Sequence, residues 1–146
     1  MLAKRRKDYQ IAGFSIPTVH LDFELNSSAT VVTNTMFVCR EDLSKQVLIL
    51  DGHGLSLLEC LVNDEVYSAY EVTNEHLLLS LPNNVHEFTI VLKTLCNPEA
   101  NTALEGLYFA SNTFCTQCEA EGFRRITYFL DRPDILSSYS VSITAD

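Results

Sequence analysis

Basic residues are scarce in this 146-residue chain: 10 Lys and Arg stand against 19 Asp and Glu, for a formal net charge of −9. Nucleic-acid binding depends on Lys and Arg that displace counterions from phosphates, so the composition argues against a nucleic-acid partner. Four of the basic residues sit together as Lys4-Arg5-Arg6-Lys7. Such a run reads as a solvated end, or as an arm for an anionic surface. Long hydrophobic runs are missing too. No window approaches the roughly 18 continuous apolar residues that a membrane-crossing helix needs. Asp8, Gln10 and Gly13 interrupt the stretch where a signal core would follow the basic run. The expectation is a cytoplasmic protein with no membrane partner.

Cysteine is present but poorly arranged for disulfides or metal. The five cysteines (Cys39, Cys60, Cys96, Cys115 and Cys118) are odd in number and mostly far apart, which favours a reducing compartment. The first three lie in apolar surroundings and are expected to pack as small buried hydrophobes. Cys115-Thr116-Gln117-Cys118 is a CxxC, yet a zinc ribbon needs a second close pair and none exists. A thiol redox centre places its CxxC at a helix N-terminus within alternating α/β structure, and no stretch here holds a helical stripe. His86-Glu87 opens like the zinc motif HExxH, but Ile90 stands where the second histidine must be. His20, His53 and His76 sit beside turns or on polar strand faces and read as surface imidazoles. Gly52-His53-Gly54 is too short for a phosphate loop, and no serine lies in a nucleophile-elbow pattern.

What the chain does have is alternation. Val19, Leu21, Phe23 and Leu25 fall on one side of a strand whose other side is His20, Asp22 and Glu24. Further strands are predicted over 30–40, 47–50, 55–62, 66–70, 77–79, 86–96 and 107–114, with a last one through Tyr139, Val141 and Ile143. Asn63-Asp64 marks a hairpin turn and Ser111-Asn112 another turn. Turn signals every 8–12 residues, roughly, predict an all-β antiparallel sandwich. Residues 1–17 read as an extended arm and 18–146 as the sandwich. The final strand is scarcely finished at Asp146, so the expected boundary falls within a longer protein.

Special side chains concentrate between Cys115 and Asp134: a CxxC, two glutamates, a glycine, a basic pair and an aromatic run. Within it, Gln117, Glu119 and Glu121 alternate. In an extended segment they would point one way, and an amide oxygen beside carboxylates makes an acceptor-only pocket suited to an ammonium group. A solvated acidic edge is the other reading of the same spacing.

The run Asn101-Thr102-Ala103-Leu104-Glu105-Gly106-Leu107-Tyr108, then Cys115 through Arg124 and Ile126 through Asp134, closely resembles the bacterial aminopeptidase N family of gluzincin zinc metallopeptidases. Asp8-Tyr9-Gln10 and Thr30-Val31-Val32-Thr33 fit the family's start more loosely. The resemblance implies a saddle-shaped N-terminal β-sandwich that packs on a thermolysin-like catalytic domain. It implies that Glu119 helps bind the free α-amino group of a peptide and that Gln117 lines the same first-residue pocket. The parent would remove N-terminal residues, basic and small apolar ones among them, with zinc as its cofactor. HExxH, the downstream glutamate ligand, the Gly-x-Met-Glu-Asn segment and the catalytic tyrosine are absent, so this chain alone is expected to be inactive and to bind no zinc. Arg125 stands where relatives can carry histidine. A free-standing β-sandwich interaction module is the alternative, and a CxxC thiol protein a third.

A magnitude bears on what the domain could do alone. A carboxylate–ammonium pair at ~4 Å is worth about 4 kcal/mol at an effective dielectric near 20, but roughly 0–1 kcal/mol when open to water. Peptide binding by this chain alone is therefore expected to be millimolar or weaker. The face that meets the catalytic domain is expected to be an exposed apolar patch, prone to self-association.

Overall fold

The computed structural model describes residues 5–145, so Lys4 of the basic run lies outside the described residues. The strands, in chain order, are β1 (Phe14–Glu24), β2 (Thr30–Arg40), β3 (Val47–Asp51), β4 (Ser56–Val62), β5 (Glu65–Val66) and β6 (Tyr70–Val72). They continue with β7 (His76–Ser80), β8 (Glu87–Cys96), β9 (Gly106–Ala110), β10 (Thr113–Gln117) and β11 (Ser138–Thr144). Among the described residues the only helical pieces are two 3-10 turns, Arg6–Asp8 and Phe123–Arg125.

Alternation builds the large sheet. Every second residue of β2 from Thr30 to Arg40 is buried, as is every second residue of β8 from Phe88 to Cys96. These two strands pair antiparallel at the centre of a six-stranded sheet ordered β11-β1-β2-β8-β4-β5. A three-stranded sheet, β3-β7-β6, supplies the opposite layer. Its Leu48, Leu50, Leu77 and Leu79 share one core with Val32, Met36, Ile90 and Leu92 of the large sheet. A two-stranded hairpin, β9-β10, forms a third sheet and sends Leu107 into the same core. The all-β sandwich expectation is thus met, with one exception to its antiparallel pairing among the described residues: β11 runs parallel to β1.

Three details depart from expectation. The first strand starts at Phe14, within the stretch assigned to the arm, and Phe14 and Ile16 are buried. The β1–β2 register shifts between Ser15 and Thr18, so a bulge at Pro17 breaks the phase that would have joined Ile16 to Val19. A bulge is also where a residue without an N–H is tolerated. Second, residues 66–70 are not one strand. Tyr67 donates its N–H to the Cys60 carbonyl and its hydroxyl to the Ser80 carbonyl, so the chain crosses there from β5 in one sheet to β6 in the other. Third, Cys60 and Cys96 are buried, but Cys39 is only half-buried.

The described part of the arm lies against the turn after residue 130. Tyr9 donates its hydroxyl to Asp134 at 2.9 Å, and Arg132 donates to the Gln10 carbonyl at 2.7 Å. At the far edge, β11 pairs in register with β1, Tyr139 beside Val19, Val141 beside Leu21 and Ile143 beside Phe23. Side chains in register share a face, so these three continue the core face of β1. Val19, Leu21 and Phe23 are buried, yet Val141 and Ile143 are 52% and 65% exposed. The apolar face runs on past the layer that covers it.

Candidate functional site

The dense segment begins on the β9–β10 hairpin, which Ser111 and Asn112 turn with φ of 51° and 59°, the paired positive values of a tight hairpin. Regular pairing ends at Gln117 opposite Gly106. The chain then closes a turn in which Gly122 donates its N–H to the Cys118 carbonyl at 2.9 Å. A Cβ on Gly122 would lie 2.5 Å from the Gln117 carbonyl oxygen and 2.9 Å from the Cys118 Cα. Backbone stands where the side chain would go, so only glycine fits. Gly106, at φ +70°, packs from the other side, where a Cβ would meet the Gly122 carbonyl oxygen at 2.9 Å. Two glycines therefore seat the turn on the foot of its hairpin.

Glu119 and Gln117 both lie on this turn, and both are exposed. The strand alternation that would have aligned Gln117, Glu119 and Glu121 stops at Gln117. The Glu119–Ala120 peptide is cis, and Glu121 has a φ of +68°. What joins the first two is a hydrogen bond: the Gln117 amide Nε2 donates to the Glu119 carbonyl at 3.0 Å. One N–H of the amide is thereby used inside the turn, and its oxygen is left as an acceptor. Glu121 is drawn elsewhere, with its Oε2 3.7 Å from the Arg124 guanidinium.

The sequence after the turn is tied to the sandwich at the end of β3. Asp51 and Phe129 exchange both backbone hydrogen bonds, at 2.8 and 3.1 Å, and His53 donates its N–H to the Arg124 carbonyl at 2.9 Å. Tyr128 lies over Gly52, where a Cβ would sit 2.1 Å from the ring. Asn34, buried at the middle of β2, donates to Thr127 and to the Tyr128 carbonyl, each at 3.2 Å. Across this frame runs Arg124. Its Nε donates to Asp131 at 2.9 Å, its backbone N–H to the same carboxylate at 3.1 Å, and its Nη1 lies 3.8 Å from Asp51. Burial favours the neutral guanidine, but the hydrogen bond to Asp131 and the charges of Asp51, Asp131 and Glu121 outweigh it and raise the Arg124 pKa.

Arg124, Asp131 and Asp51 were not singled out in the sequence. The first two stood inside the dense segment, where their spacing carried no pattern; Asp51 is remote in the chain, and only the fold brings it there. The CxxC fares poorly as a redox pair. Cys115 sits in β10 rather than at a helix N-terminus, and burial together with the Asp131 charge pushes the Cys118 thiol up, opposite to what a reactive thiolate needs. Among the described residues no three His, Cys, Asp or Glu side chains cluster to hold a metal. The described residues do not fit a zinc site.

The peptidase M1 N-terminal domain family matches residues 8–146. Aminopeptidase N of Haemophilus influenzae is 44% identical over 145 residues, covering 99% of this chain and 17% of that protein. Aminopeptidase N of Escherichia coli is 42% identical over 144 residues, 99% of this chain and 16% of its own length. The chain thus spans about one-sixth of the length of these curated relatives. Among solved structures, Legionella pneumophila aminopeptidase A in complex with aspartic acid superposes with a TM-score of 0.85 at 29% identity, covering 96% of this chain and 17% of that one. An M1 zinc metallopeptidase of Deinococcus radiodurans bound to a Tyr-Ser-Ala substrate gives 0.76 at 15% identity, over 90% of this chain and 32% of that one, a likeness of fold.

Proposed function

Because the chain belongs to the peptidase M1 N-terminal domain family, we propose that it forms one wall of the pocket in which a zinc aminopeptidase grips the free α-amino group of its peptide. Glu119 supplies the negative charge and Gln117 the neighbouring acceptor oxygen. The observation that carries this is the turn itself. Its amide spends one N–H internally, and among the described residues the Glu119 carboxylate has no ion pair or hydrogen bond. An unpaired carboxylate with an amide oxygen close by in sequence suits an ammonium group, which offers three donors and no acceptor.

Chemistry on the scissile bond falls to the catalytic domain that the family's zinc enzymes carry. This domain contributes binding and orientation. An ammonium held at a fixed distance from the hydrolytic centre places the first peptide bond, and no later one, at the reacting position. The other wall must also come from that domain, since an exposed carboxylate binds an amine by only roughly 0–1 kcal/mol. The uncovered core face at Val141 and Ile143, with Leu136 85% exposed nearby in sequence, is the apolar surface we assign to packing against it. Covering a Val or Ile fully is worth about 1.5–3 kcal/mol.

Kinetics test the assignment. In the intact enzyme Glu119→Gln keeps the shape and removes the charge, and kcat/KM for peptides should fall by ~10²–10³-fold if the pair is desolvated. A variant that trims peptides as well as its parent would refute the role of Glu119.

A further inference from the structure

We propose that Arg124 is a positioning residue for the amine-binding turn: anchored on Asp131 and Asp51, its guanidinium reaches Glu121 and so holds Glu119 in place without touching substrate. The inference rests on the assignment of Glu119 made above. The geometry has a fixed side and a held side. On the fixed side, Asp131 takes both Nε and the backbone N–H of Arg124, while Nη2 donates to the Asp131 carbonyl at 3.2 Å. Asp131 is itself pinned, its N–H donating to the Asp51 carboxylate at 3.1 Å, and Asp51 belongs to β3. On the held side, Nη2 lies 3.7 Å from Glu121, two residues beyond Glu119 at the far end of the turn.

One planar cation thus meets three carboxylates from three places in the chain, and only Arg has donors in a rigid fork that can do so. Lys would keep the charge but not the span. The pairing has a second effect. It engages Glu121, Asp131 and Asp51, while the Glu119 carboxylate of the same turn has no such partner among the described residues. Arg125 does not share the task, since its Nε pairs with Glu105 at 3.1 Å on the open side of the hairpin.

The test is a double-mutant cycle in the intact enzyme. Arg124→Lys and Arg124→Gln are each measured alone and with Glu119→Gln, following KM, kcat and melting temperature. A turn displaced by ~1 Å can cost on the order of 10²-fold, so each Arg124 variant alone should raise KM by roughly 10–100-fold and leave kcat nearly unchanged. In the Glu119→Gln background the same changes should add less than about twofold, since both act on one interaction. Asp131→Asn, which loosens the anchor and spares the guanidinium, should shift KM in the same direction if the Arg124 variants fold poorly. Arg132→Gln, which breaks a comparable Arg–Asp pair on the arm side, should lower the melting temperature and leave KM alone. Losses that multiply fully with Glu119→Gln, or Arg124 variants with an unchanged KM, would overturn the positioning role. A Glu119→Gln enzyme with an unchanged KM would overturn the amine assignment, and the positioning role with it.

Discussion

In β2 and β8 each buried side chain is one of a row, whereas between residues 118 and 131 nearly every holding contact is made once. Met36, Val38, Ile90 and Leu92 sit among neighbours of the same kind on both sides, so the sheet is specified redundantly by an alternating pattern. The turn and the segment after it depend on Gly122 against the Gln117 carbonyl, Gly52 against Tyr128 and Arg124 between three carboxylates. The contrast matches the division of labour proposed here. A platform is made by repetition, and a binding corner by particular contacts that the platform holds still.

Damage to the two regions should therefore look different. The largest loss is expected in the platform: Ile90→Ala or Leu77→Ala, at wholly buried positions, should destabilise the chain by about 2–5 kcal/mol. One cooperative melt at lower temperature would be seen by circular dichroism. Gly122→Ala should cost less, roughly 1–3 kcal/mol, with the strand spectrum kept, because the clash with the Gln117 carbonyl is local to the turn. Amine binding in the intact enzyme should nonetheless suffer far more from Gly122→Ala than the stability loss suggests. If the two kinds of variant lost stability and binding in the same proportion, the separation of platform from site would be wrong.

Titration sharpens the comparison. Burial raises the thiols of Cys60 and Cys96 to a pKa of about 11. Their contribution is complete below the unfolded-state value near 9 and is lost as pH rises through about 11. Unfolding midpoints should fall across that window, and Cys60→Ala with Cys96→Ala should flatten the fall. The smallest effect belongs to the arm. Hydrogen bonds from Arg132, with one from Tyr9, hold the Asp134 carboxyl below its usual range. The stability this adds is present above the unfolded carboxylate pKa, near 4, and is lost as pH drops through the lower folded value. Asp134→Asn should remove that acid sensitivity while changing neutral-pH stability by less than about 1 kcal/mol.

How far each region could be read in advance follows from the same difference. Period-two burial appears directly in the order of residues, so β2, β8 and the all-β class were legible, as were the turns at Asn63-Asp64 and Ser111-Asn112. The start of β1 was hidden because the bulge at Pro17 shifts the phase. The crossing at Tyr67 was hidden because its two partners, Cys60 and Ser80, belong to different sheets. At the site, Gln117 and Glu119 came from the resemblance of a local run, yet their alternation with Glu121 does not survive the turn. Arg124 and Asp51 lie 73 positions apart in the chain; no local pattern joins such a pair.

The claim that this turn is half of a site is tested most directly by calorimetric titration of one unblocked peptide into the 146-residue chain and into the intact enzyme. The account predicts millimolar or weaker binding to the chain alone, because Glu119 stands open to water, and much tighter binding to the intact protein, lost on Glu119→Gln. Micromolar affinity for the chain alone, abolished by Glu119→Gln, would show the pocket to be complete without a second wall and would contradict it.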